Sequence, residues 1–156
     1  MHGDACIAAR RSFSFETVMS HPSKLDILAR ARESGFFIQL FFIGTNDPRI
    51  NIARVALRVR QGGHDVPTDK IIARWSRPME LLSEAIRLSD RTFLFDNSNI
   101  VEDVGAGHLF AWSKSLQRDS IWLFGWRESQ MNVPMEDGVD KPLPAWVRRY
   151  VPAFAE

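Results

Sequence analysis

The run Phe36-Phe37-Ile38-Gln39-Leu40-Phe41-Phe42-Ile43 is apolar almost throughout and is interrupted only by Gln39. It does not alternate. A strand covered on one face alternates apolar and polar residues, whereas a parallel strand covered on both faces does not. The run is also far too short to span a bilayer. It therefore predicts a parallel strand buried on both faces, and the rest of the chain has to supply its partner strands and covering helices.

The flanking segments suit that demand. Ser12 to Thr17 reads as a short strand, with Phe13 and Phe15 on one side. Leu25, Leu28, Ala29 and Arg32 follow helical spacing, and Gly35 closes that helix. Asn46-Asp47-Pro48 is a helix start, a polar cap followed by proline in the first turn. Ile52, Val55, Ala56 and Val59 then give one apolar face, and Gly62-Gly63 stops the helix. A second helix begins after Pro67 with Thr68 or Asp69 as cap. Its apolar set is Ile71, Trp75, Met79, Leu82 and Ile86, and Pro78 is a point where it can kink. Thr92 to Phe95 reads as another strand, stopped by Asp96-Asn97-Ser98. His108 to Trp112 and Ile121 to Phe124 suit a C-terminal β-hairpin, Gln130 to Pro144 a loop, and Ala145 to Tyr150 a helical turn. Strand, helix, strand, helix, helix, strand is the order of an α/β fold with a parallel sheet. With 156 residues the chain suits one domain.

Charge excludes some functions. Twenty Lys and Arg against nineteen Asp and Glu leave a formal net charge of +1. There is no global basic field, so charge does not suggest nucleic-acid binding, and an anion site has to be local. Cys6 is the single cysteine, so no internal disulfide can form, and a cytoplasmic setting is expected. Met1 to Arg11 carries Asp4 and lacks the apolar centre of a signal peptide. No membrane association is expected. His2, His21, His64 and His108 are scattered, without zinc-type spacing, so no metal site is read from the sequence.

Local anion chemistry has clear candidates. Arg54 and Arg58 lie four residues apart on one helix. Lys70, Arg74 and Arg77 share one face of the next. Arginine suits phosphate because its planar fork donates two hydrogen bonds at once. Such residues equally serve as a solvated helix face. His64, after two glycines, could touch a phosphate or sugar, or simply pack the turn. Glu16 ends the first strand, the edge at which open parallel sheets bind ligands. It could accept a hydrogen bond from a substrate hydroxyl or cap the next helix.

Three blocks together resemble a known family. Phe13-Ser14-Phe15-Glu16-Thr17-Val18-Met19-Ser20 resembles the Ser-Phe-x-Phe-Glu-Thr-Thr-x-Ser strand of zeta-toxin-like P-loop kinases. The segment Arg54-Val55-x-x-Arg58-Val59-x-x-Gly62-Gly63-His64-x-Val66-Pro67-x-x-x-Ile71-x-x-Arg74 is similar to their lid. Phe95-Asp96-Asn97-Ser98 is similar to the Tyr-Asp-Asn-Ser ending their last core strand. The blocks cover residues 12 to 98 in family order, leaving 99 to 156 as a C-terminal extension. Many members have Thr where Val18 stands.

The resemblance implies a three-layer α/β/α core and an ATP- and Mg2+-dependent kinase of the zeta toxin or UDP-N-acetylglucosamine kinase type. Its substrate would be a sugar nucleotide and its partner an antitoxin. It would make Arg58 and Arg74 catalytic, Glu16 and Thr17 substrate-binding, and Arg54, His64 and Arg77 phosphate-facing lid residues. The family's P-loop, Walker lysine and general base precede the first block. No Gly-x-x-x-x-Gly-Lys-Ser/Thr occurs in this chain, and eleven residues before Ser12 cannot hold strand, loop and helix. The expectation is an N-terminally truncated kinase domain, inactive alone. Its open sheet edge would invite self-association or a partner. The alternatives are a non-catalytic interaction protein, pairing with a P-loop chain or an antitoxin, or a degenerate remnant.

Overall fold

The structure is a computed structural model that describes residues 2–98, 107–113, 122–126 and 144–151. Its elements in order are α1 (His2–Ala8), α2 (Ser23–Glu33), β1 (Gln39–Gly44), α3 (Pro48–Arg60), α4 (Thr68–Leu88), β2 (Arg91–Asp96), β3 (Gly107–Ser113), β4 (Trp122–Trp126) and α5 (Ala145–Tyr150). The four strands form one sheet in the order β1-β2-β3-β4. β1 and β2 are parallel, joined by the α3–α4 crossover, while β3 and β4 add antiparallel. The fold is therefore mixed α/β, with the anticipated hairpin completing the sheet. The expected loop from Gln130 lies outside the described residues, except for Pro144.

Local signals place the helix ends. Gly35 has φ +78, and the Phe36 amide donates back to the Ala31 carbonyl, a glycine C-terminal stop for α2. Asp47 caps α3 by accepting from the Arg49 amide, with Pro48 just inside the helix. Gly62, at φ +87, closes the same helix, and the Gly63 amide donates to the Arg58 carbonyl. α4 runs through Pro78 without interruption and starts after Pro67 with no side-chain cap.

The core lies on one side of the sheet. Phe42 and Leu94, from neighbouring strands, pack with Met79, Leu82, Ala85 and Ile86 of α4. Trp146, Val147 and Val151 of the C-terminal segment complete this cluster. Leu25 and Leu28 of α2 lie against it. The Trp146 indole N–H donates 2.9 Å to buried Asp96, which also accepts from the Ser98 hydroxyl. Asp96 thereby ties the end of β2 to α5, and the polar group is buried with its partners supplied.

Four expectations are corrected. First, Ser12 to Thr17 forms no strand. Its residues have extended-strand composition, but a strand exists only when a neighbour supplies its ladder. Among the described residues none does. Left-handed backbone at Arg10 and Met19, both at φ 51, brackets this stretch, and Met19 alone drops into the core. Second, β1 is not buried on both faces. Phe42 and Gly44 are buried, but Phe41 is 60% exposed and Ile43 68%. Third, no third layer covers that other face among the described residues, so the α/β/α sandwich is not seen. Phe41 instead stacks on Phe93, with ring centres 4.8 Å apart. Fourth, the apolar face read for α3 is incompletely covered, because α3 buries no residue and leaves Val59 and Leu57 exposed.

Candidate functional site

β1 ends at Gly44, and the chain turns at Thr45 toward α3. Thr45 is buried and acts as a junction. Its carbonyl and hydroxyl accept from the Trp75 indole N–H of α4 at 2.9 and 3.1 Å. Its hydroxyl also accepts from the Asn51 amide of α3 at 3.1 Å. Two helices that lead to and from the glycine turn are therefore fixed to one strand end.

The end of β2 joins the same junction. The Asn97 amide donates to the Gly44 carbonyl at 2.8 Å. Ser98 accepts from the Asn46 amide at 2.8 Å. The Arg54 guanidinium donates to the carbonyl and the side chain of Asn97, at 2.9 and 3.3 Å. Asp96-Asn97-Ser98 thus serves as a hydrogen-bonding hub: Asp96 holds α5, Asn97 holds Arg54, and Ser98 holds the turn after β1.

A cleft of 1310 Å³ opens at this junction and runs along β1. Glu16 and Thr17 line it from the N-terminal segment, Arg54 and Arg58 from α3, and Arg74 from α4. Five residues singled out in the sequence, from three separate segments, thus border one space. Arg54 is half-buried and Arg58, Arg74, Glu16 and Thr17 are exposed. Arg58 donates to the His64 carbonyl at 3.3 Å, which folds the glycine turn back onto α3. Three candidates do not border the cleft: the His64, Lys70 and Arg77 side chains are exposed elsewhere. In the turn His64 offers its carbonyl to Arg58, and its imidazole makes no contact with the cleft.

Thr45, Asn51 and Asn97 also line the cleft and were not singled out. Asn97 sat inside a motif read as a strand stop. Thr45 and Asn51 carried no sequence signal, because their importance comes from the helix packing that converges on one strand end. Lys24 adds a further cation to the lining, from α2.

The cleft sets guanidinium groups beside an apolar floor, an arrangement that suits an anion. Arginine forks from two helices and the Asn51 and Thr45 polar groups stand beside Phe41, Phe42 and Ile43. The start of α3 does not offer a phosphate of ATP a helix N-terminal cradle. The turn after β1 opens α3 with the Asp47 carboxylate as its cap and with Pro48, which has no N–H. A carboxylate already occupies the place a phosphate would need. Arg49 hydrogen-bonds that carboxylate and holds it below the usual aspartate range. Among the described residues no group of three or more His, Cys, Asp or Glu could hold a metal ion. None of the described helices is long and apolar enough to cross a membrane.

Comparison with known proteins adds a local likeness. An uncharacterized protein of Haemophilus influenzae is 36% identical over 63 residues, or 40% of this chain. The match spans 45% of that relative, so the chain covers less than half of its length. No family model matches, and no solved structure does.

Proposed function

We propose that the chain is the substrate-binding and lid portion of a zeta-toxin-like phosphotransferase, acting in the cytoplasm on a sugar nucleotide such as UDP-N-acetylglucosamine. The observation that carries this reading is convergence. Glu16 and Thr17, Arg54 and Arg58, and Arg74 lie far apart in sequence yet line one cleft that runs along β1 to the carboxyl end of a parallel strand pair. That is where open α/β sheets place ligands. In this reading Arg54, Arg58 and Arg74 hold the diphosphate, which suits their bidentate geometry. Glu16 and Thr17 take sugar hydroxyls, and Phe41 and Ile43 exclude water from the floor.

The residues for nucleotide triphosphate binding would have to come from elsewhere, because this chain contains no Walker sequence. Phosphoryl transfer rests almost wholly on positioning and charge stabilisation. The chain alone is therefore expected to bind the sugar nucleotide without turning over ATP. Titration calorimetry with UDP-N-acetylglucosamine tests the reading. Saturable binding that Arg74→Ala weakens about tenfold, the scale of one charge-assisted hydrogen bond, supports it. Absence of binding, or binding indifferent to Arg74, contradicts it.

A further inference from the structure

Among the described residues β1 is bonded along one edge only, with β2 as its sole ladder partner. The carbonyls of Ile38 and Gly44 turn toward β2, where they accept from Arg91 and Asn97. In a parallel ladder successive residues bond to opposite sides. Gln39, Phe41 and Ile43 therefore direct their backbone N–H and C=O groups away from β2, at the open edge. Unpaired groups of this kind are a template for another strand.

The cleft follows that edge. Every residue from Phe36 to Thr45 lines it, from both faces of the strand. Five of the exposed large apolar residues border it as well: Phe15, Val18, Phe37, Phe41 and Ile43. Apolar walls on both sides of an unpaired backbone define the occupant. A lipid or an aromatic ligand could cover the side chains but could not pair the N–H and C=O groups. An extended polypeptide does both. The slot also carries cations near the end of β1: Arg74, next to the Trp75 that donates to Thr45, lines the cleft, and so does Arg58. A strand laid parallel to β1 brings its carboxyl end there.

We propose that this slot binds an extended apolar segment of another polypeptide, parallel to β1, with an acidic carboxyl end held by Arg58 and Arg74. The mode is β-strand addition, in which main-chain bonds give affinity and the end charge gives direction. The inference shares Arg58 and Arg74 with the phosphotransferase reading, so a sugar nucleotide would compete with the peptide, but it needs neither a sugar nucleotide nor catalysis.

The full chain is titrated with the peptide Ser-Thr-Ile-Val-Ile-Thr-Asp bearing a free carboxylate, while amide hydrogen exchange is followed. Saturable binding is expected, with exchange at Phe41 and Ile43 slowed at least tenfold. Phe41→Pro removes one outward N–H and leaves the β1–β2 ladder intact, as proline on an edge strand can. It is expected to keep the circular dichroism of the parent and to lose affinity at least tenfold. A peptide N-methylated at alternate residues makes the same test without altering the protein, and it should bind at least tenfold more weakly. Amidating the carboxyl end and replacing Asp by Asn should weaken binding several-fold. Absence of binding up to millimolar peptide overturns the proposal. So does binding that leaves Phe41 and Ile43 unprotected, or equal affinity for the N-methylated peptide. Protection of Phe41 and Ile43 that grows with protein concentration alone would assign the edge to a second copy of the chain and overturn it equally.

Discussion

The two faces of β1 behave as different materials. Leu40, Phe42 and Gly44 turn toward α4 and α5 and join the core. Gln39, Phe41 and Ile43 turn the other way and remain exposed. The composition of both faces is apolar, so hydrophobicity does not distinguish them. Neighbours do. The buried face has Met79, Leu82 and Ile86 of α4 packed with it, whereas no described element covers the other. An apolar residue is a core residue only when another element arrives to cover it, and a large exposed apolar patch points to an interaction.

Substitutions on adjacent residues sharpen this contrast most. Phe42→Ala removes a buried ring that packs 5.7 Å from Trp146 and should cost about 3–5 kcal/mol. Phe41→Ala, one residue away, loses its stack on Phe93 and should cost only about 0.5–1.5 kcal/mol. Chemical denaturation of both variants gives the comparison directly. Equal losses would mean that the Phe41 face is also packed.

The next effect belongs to Gly44. A Cβ there would lie 2.8 Å from the Trp146 ring, closer than real Cβ contacts permit. Gly44→Ala is therefore expected to destabilise by about 1–3 kcal/mol through overpacking. Trp146→Phe should lose a comparable amount, about 1–3 kcal/mol, because buried Asp96 is left without its indole donor. Thermal melts of the two variants separate a steric fault from a polar one: adding Trp146→Phe to Gly44→Ala should be less than additive, since the two sites touch.

Much of the buried half was legible in the sequence. The apolar spacing of Ile71, Met79, Leu82 and Ile86 marks the face of α4 that is buried. Gly35, Gly62 and Asp47-Pro48 mark helix ends because their backbone and capping chemistry is local. The exposed half was misread for the converse reason. A continuous apolar run states that both faces avoid water, not what covers them. Ser12 to Thr17 carries strand composition without a ladder partner, and no local signal reveals that absence. At the site, the arginines were legible from spacing, while Thr45 and Asn51 were not. Their role arises from α3 and α4 meeting one strand end, a long-range fact.

The smallest expected effect concerns the α3 start. Hydrogen bonds from the Arg49 side chain, then from its amide, hold Asp47 below the ordinary aspartate range. A carboxylate with a depressed folded value contributes stability above its unfolded value, and that contribution is lost as pH falls through the folded value. Helical signal at α3 should therefore decline slightly in acid, below the usual aspartate range. Asp47→Asn keeps a capping oxygen but removes the charge, and should flatten that acid decline. Circular dichroism against pH checks it, and an identical acid profile in both proteins would assign the decline to other carboxylates.

The central claim is that the uncovered face of β1 and the junction at Thr45 form one ligand site, while the Leu82, Ala85 and Val147 core is structural. Its most direct test is a titration of the labelled chain with UDP-N-acetylglucosamine, followed by amide chemical shifts. Saturable shifts confined to Glu16, Phe41, Ile43, Thr45, Arg54, Arg58, Arg74 and Asn97, with Leu82, Ala85 and Val147 unmoved, are the expected result. Saturable shifts centred away from the cleft, or none at millimolar ligand, would contradict it.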